Sequence, residues 1–169
     1  YLKTNKETKH KRDIIEPDEF TMMRKWMENS WSRDKEIDDL ERTKRRVYGL
    51  YLTIVYYTGM RPKEALGLRW KDIQPIATES KEDQRVNRSI FIPAENAKTG
   101  RSRHLVAPVA IQFERVREHY KKLRIEINPE NYVFINLSKT KRGTNTPYNQ
   151  PAMEKRLKPI IAGRRIPCQ

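Results

Sequence analysis

Cysteine is nearly absent from this sequence: Cys168 stands alone among 169 residues. One thiol closes no internal disulfide, and no secretory signal opens the chain, so the expectation is an intracellular, reducing compartment. Zinc is disfavoured as well, because His10, His104 and His119 are scattered and no Cys/His cluster has the spacing of a metal site. Long apolar runs are missing. No stretch approaches the roughly 18 apolar residues of a membrane-spanning helix, and the basic residues are dispersed rather than gathered beside one amphipathic anchor, which ranks membrane binding low. Internal repeats and low-complexity tracts are missing too. Acid is short relative to base: 22 Asp plus Glu against 36 Lys plus Arg leave a net charge of +14. That excess is more than solubility needs and points to a polyanionic partner, with nucleic acid as the default. The length suits one domain with a real core.

What is present organises into helices and a few strands. Residues 1–12, polar and basic without periodicity, read as a linker or arm, and 13–169 as the domain. In "EPDEFTMMRKWMENSW" Pro17 stands near an acidic first turn, and Phe20, Met23, Met27 and Trp31 recur at helical spacing. After the charged "SRDKEIDDLERTKRR" comes "VYGLYLTIVYYTG", apolar on nearly every side, which predicts a buried central helix ended by Gly59. A short helix follows from Pro62 to about Leu68, and "WKDI" begins an extended segment. Residues 74–88 read as a solvent loop between strands. "SIFIP" and "RHLVAP" predict two strands joined by a turn around Thr99 and Gly100, with Lys98 just before the turn. Val109, Phe113, Val116, Tyr120 and Leu123 mark one face of a further helix. "NYVFIN" is another short strand or extended segment, "LSKTKRGTNTPYN" a basic loop, and "QPAMEKRLKPIIAGRR" a last helix.

Two cations stand out by position. Arg61 lies between a Thr-Gly-Met turn and a helix that Pro62 can start, where unpaired backbone N–H groups suit a phosphate. Lys98 lies at a hairpin tip. Phosphoryl transfer without a metal needs such groups, because charge develops on the non-bridging oxygens and the leaving oxygen needs a proton. Arginine suits the first task through its planar fork and lysine the second through a mobile ammonium. The rival reading of Arg61 is an i,i+3 surface pair with Glu64, and that of Lys98 is one basic hairpin tip among many.

"TGMRPKEALGLRWKDI" followed by "AKTGRSRHLV" resembles the tyrosine recombinases, the phage-integrase family of site-specific DNA strand transferases. The resemblance implies a mainly α fold with a small antiparallel β-sheet, of which this chain would be the N-terminal part of the catalytic domain. It implies that Arg61 is the first catalytic arginine, that Glu64 supports the site, and that Lys98 protonates the leaving 5′-oxygen. Leu68, Trp70 and Asp72 match the family's structural run. A tyrosine would attack a DNA phosphodiester and form a 3′-phosphotyrosyl link, with double-stranded DNA as partner, self-association on DNA, and no metal, nucleotide or other cofactor.

The departures matter equally. The family continues with an H-x-x-R-H box and a late tyrosine nucleophile, and no H-x-x-R occurs here. The expectation is therefore a chain that stops short of that box. Most of the eight tyrosines sit in apolar faces and none is nominated as nucleophile. Arg101, Arg103, Lys139, Lys141 and Arg142 are read as DNA-contacting or solvated cations rather than catalytic ones. Trp26, Trp31 and Trp70 are read as packing residues, and His104 as an ordinary strand histidine. Two rivals remain: a module of the same fold that grips DNA without chemistry, and an unrelated basic RNA-binding protein. The second lacks a set of stacking aromatics on an exposed sheet.

Overall fold

The structure is a computed structural model that describes residues 15–78, 80–138 and 145–148, with the single positions 151 and 155. The expected arm, the part of the basic loop with Lys139, Lys141 and Arg142, and nearly all of the expected last helix lie outside these residues.

The first helix, α1 (Pro17–Asn29), starts where Pro17 fixes φ and the Glu19 carboxylate accepts the Glu16 N–H at 3.1 Å. A 3-10 turn, Trp31–Arg33, leads to α2 (Asp39–Thr58). The helix α2 begins at Asp39 rather than at the apolar run from Val47, because Asp38 caps it by accepting the Glu41 N–H at 2.7 Å. The second half of the charged segment before Val47, residues 39–46, is thus the largely half-buried start of the same helix. Gly59 ends it in the left-handed conformation at φ 63, its N–H donating to the Val55 carbonyl.

Helix α3 (Pro62–Leu66) and a 3-10 turn at Trp70–Asp72 lead into the sheet, made of β1 (Ile73–Gln74), β2 (Arg88–Ile92) and β3 (Arg103–Ala107). The strand order is β1-β2-β3, antiparallel throughout, with Ile92 opposite Arg103 at the hairpin end. The stretch between β1 and β2 departs from the expected loop. It contains α4 (Lys81–Val86), capped by Ser80 Oγ accepting the Asp83 N–H. None of its residues is buried, so capping and acid in the first turn, not an apolar stripe, make it helical.

Helix α5 (Ala110–Lys122) follows β3 and packs on α2. Ile54 on α2 meets Phe113, Val116 and Tyr120 on α5 in one core with Ile90 and Ile92. "NYVFIN" is an extended segment held by isolated bridges of Tyr132 with Arg69 and of Ile135 with Pro147, and it buries Val133, Phe134 and Ile135. Trp70 is buried edge-on to Phe113 with the Arg117 guanidinium 4.3 Å from its ring, a packing role as expected.

The Gly59 turn is what aims the chain from the central helix into α3. A β-carbon there meets no neighbour, but the left-handed φ remains unfavourable for any other residue. Gly59→Ala should therefore cost about 1 kcal/mol in denaturant unfolding with an unchanged m-value. No loss of midpoint would show that the turn relaxes freely.

Candidate functional site

Glu64 is the one fully buried acid of α3, only 2% exposed. A buried carboxylate needs partners, and it has two. The backbone N–H of Arg61 donates to Oε2 at 2.8 Å, and Nη2 of Arg103 donates to the same oxygen at 2.9 Å. The Arg61–Glu64 surface pair is thereby overturned. Glu64 faces inward and takes only the backbone of Arg61, while the exposed Arg61 side chain makes no ion pair among the described residues. One carboxylate thus sets the first turn of α3 and ties it to the start of β3.

Two further contacts bind α3 to the hairpin. Lys63 Nζ donates to the Glu95 carbonyl at 3.3 Å, and Asn96 Nδ2 donates to the Gly67 carbonyl at 3.2 Å. Gly67 permits this approach, since a β-carbon there would fall 2.5 Å from the Asn96 amide. Beyond these anchors the Gly100 N–H donates to the Ala97 carbonyl at 3.1 Å and closes a turn with Lys98 and Thr99 at its centre. Lys98 is exposed at the tip, and Gly100 leaves the turn at φ 65. The structure therefore brings the elements bearing Arg61, Glu64 and Lys98 together. Arg101 is exposed on the same loop.

Arg103 has a structural partner that the sequence does not reveal. The sequence groups it with the DNA-contacting or solvated cations; 45% of its side chain is exposed, and Nη2 is engaged on Glu64. Once Glu64 is seen to be buried beside Ala65 and Leu66, a cation from elsewhere in the chain is required. Leu68, Trp70 and Asp72 are all buried, and Asp72 repeats the device of Glu64 by accepting the Arg69 N–H at 2.9 Å.

The tyrosines offer no free nucleophile in the core. Burial pushes the Tyr51 phenol up to about 12 and raises Tyr120 further, and the Tyr120 hydroxyl donates to the Val133 carbonyl at 2.8 Å. Tyr48 and Tyr148 are also buried, and Tyr56 stacks on Phe20 at 3.7 Å. His104 is exposed and lies against Phe91. Among the described residues no group of His, Cys, Asp and Glu is arranged to hold a metal ion, and no helix is long and apolar enough to cross a membrane.

No family model and no curated protein sequence matches the chain. Solved structures do. The chain is similar to the XerH site-specific recombinase bound to its difH substrate in a pre-cleavage complex, with a TM-score of 0.56 and 18% identity over 86% of this chain. It is similar also to the post-cleavage complex of XerH with palindromic difH, with a TM-score of 0.57 and 18% identity over 86% of this chain. The fold is recombinase-like: about 50% helical with a three-stranded antiparallel sheet, the class the sequence led us to expect. The chain spans about a third of those chains, 35% and 34% of their length.

The Glu64–Arg103 pair can be tested directly. Arg103→Ala leaves a buried carboxylate with one N–H partner and should cost about 1–3 kcal/mol. Adding Glu64→Gln should recover part of this, giving a coupling of at least about 1 kcal/mol in a double-mutant cycle read by urea unfolding. Additive losses would mean that the pair holds nothing together.

Proposed function

We propose that this chain is part of a site-specific DNA recombinase that cuts and rejoins duplex DNA through a 3′-phosphotyrosyl intermediate, and that it supplies Arg61 and Lys98 to the reaction. The observation that carries this reading is the docking of the α3 N-terminus on the hairpin through Glu64 and Arg103, on a recombinase-like fold. Arg61, exposed at the helix entry, stabilises the charge that develops on the scissile phosphate. Lys98, exposed on a fixed turn, gives its proton to the departing 5′-oxygen. Glu64 positions both without touching substrate. Arg101, with Lys139, Lys141 and Arg142 outside the described residues, binds backbone phosphates. The complete protein associates with further copies on DNA.

The chain should bind duplex DNA with little sequence preference. If about five phosphates are neutralised, log K falls with log salt at a slope of about −4 to −5. Fluorescence anisotropy across salt concentrations measures this, and a flat profile or a preference for single-stranded RNA would count against the reading. Arg61→Ala should weaken vanadate or phosphate binding at the site tenfold or more, with the fold intact, whereas Arg101→Ala should lower only general DNA affinity. Equal effects from the two changes would remove the special status of Arg61.

A second reading, a DNA-gripping module of the same fold without chemistry, is favoured by the burial of Tyr48, Tyr51, Tyr120 and Tyr148, which leaves Tyr57 as the well-exposed phenol among the described residues. Both readings expect no denaturation-resistant adduct when the 169-residue chain meets a nicked duplex designed to trap a phosphotyrosyl link. They part when an H-x-x-R box and a tyrosine are supplied by a longer chain. An adduct that Lys98→Ala slows, and that a 5′-bridging sulfur rescues because its leaving group needs no proton, supports strand transfer. An adduct formed by the 169-residue chain alone would contradict both.

A further inference from the structure

A second cationic site lies away from α3 and the hairpin. Helices α1, α2 and α5, with the Trp31–Arg33 turn, line a half-open cavity of about 370 Å³, the size of a small-molecule site. Its walls carry Arg24, Arg33, Arg45, Arg46 and Arg115 against only two carboxylates, Glu28 and Glu118. About fifteen residues, most of them helical at roughly 1.5 Å each, separate Arg46 from Arg61, so the two sites stand roughly 20 Å apart along α2.

The five arginines are not equivalent. Arg45 is engaged: it donates to the Trp31 carbonyl at 2.8 Å and pairs with Asp34 at 3.4 Å and Glu41 at 3.5 Å. Arg24 and Arg115 share a single carboxylate, Glu28, at 3.4 and 3.7 Å. Arg33 and Arg46 make no ion pair among the described residues. Gly49 lines the cavity without a side chain. His119, on the same wall, reports the local field: burial first, then the charges of Arg46, Lys122 and Arg115, bring its imidazole down to about 4 against the opposing pull of Glu118. Like charges gathered around a cavity repel one another until an anion enters.

We propose that the cavity between α1, α2 and α5 binds a phosphate oxyanion, with Arg33 and Arg46 as its principal ligands and Arg24 and Arg115 turning from Glu28 to join them. Guanidinium groups on four elements, α1, the Trp31–Arg33 turn, α2 and α5, suit a tetrahedral anion with several oxygens, each able to accept a charge-assisted hydrogen bond. The same chemistry is offered by a free di- or polyphosphate and by a DNA backbone, and the site is independent of whether the chain takes part in strand transfer.

The test uses the isotope-labelled 169-residue chain and inorganic pyrophosphate, read by NMR at the Gly49 amide and the His119 ring. Saturable shifts at both are expected, and the His119 titration should move upward toward its ordinary value, because a bound anion favours the imidazolium. Arg33→Gln/Arg46→Gln should weaken pyrophosphate tenfold or more at an unchanged melting temperature. Arg61→Gln should leave the Gly49 and His119 shifts as they are, which separates failure of this site from failure of the recombinase reading. A short duplex that competes with pyrophosphate for the His119 signal assigns the site to the DNA backbone, and one that leaves the signal untouched assigns it to free phosphate compounds. Shifts that never saturate, a His119 titration that pyrophosphate does not move, or an equal loss from Arg101→Gln would overturn the proposal.

Discussion

The contact on which the candidate site depends is the buried oxygen of Glu64, which takes the Arg61 N–H and the Arg103 guanidinium together. A helix of only five residues has little stability of its own. Its entry is held because a carboxylate inside the fold must be satisfied, and its donors are the backbone amide of Arg61, just before α3, and a cation from β3. The ion pair is not free stability, since half-buried charge pairs roughly balance desolvation against attraction. Its value is geometric. An apolar pair in its place could slide, whereas two charge-assisted hydrogen bonds on one oxygen fix both direction and distance. The turn bearing Arg61 and the hairpin bearing Lys98 therefore keep one relative placement.

Where the sequence was legible, the reason is periodic or stereochemical. Phe20 and Met27, and then Phe113, Val116 and Tyr120, mark helical stripes that the structure buries. Gly59 and the Thr99–Gly100 turn are fixed by what only certain residues can do with their backbone. Two features were harder to read. The helix α4 buries nothing and so has no stripe to detect, only a serine cap and early acid. The engagement of Arg103 with Glu64 joins residues far apart in the chain, a pairing that strand alternation alone does not reveal.

Charge is spread unevenly between scaffold and surface. Arg45 and Arg103 are spent on carboxylates and carbonyls and act as struts of the fold. Arg61 and Lys98 are exposed at element ends, while Arg46 lines the α1–α2–α5 cavity without an ion pair. Behind the net charge of +14 thus stand cations engaged on the fold's own carboxylates and carbonyls and cations that make no ion pair among the described residues. Composition counts both alike, and only the hydrogen-bond geometry separates them.

The Lys98 turn joins two very different clocks. Its backbone is held by the Ala97–Gly100 hydrogen bond and by Asn96 on Gly67. The side chain above it, with four freely rotating bonds, samples its rotamers within picoseconds to nanoseconds. Any oxygen that captures the ammonium must offset about 2 kcal/mol of rotamer entropy. That cost acts as a filter. An anion passing at the wrong depth gains too little to hold the lysine, and one delivered to the right depth by a rigid neighbouring surface finds a donor that has already searched every orientation.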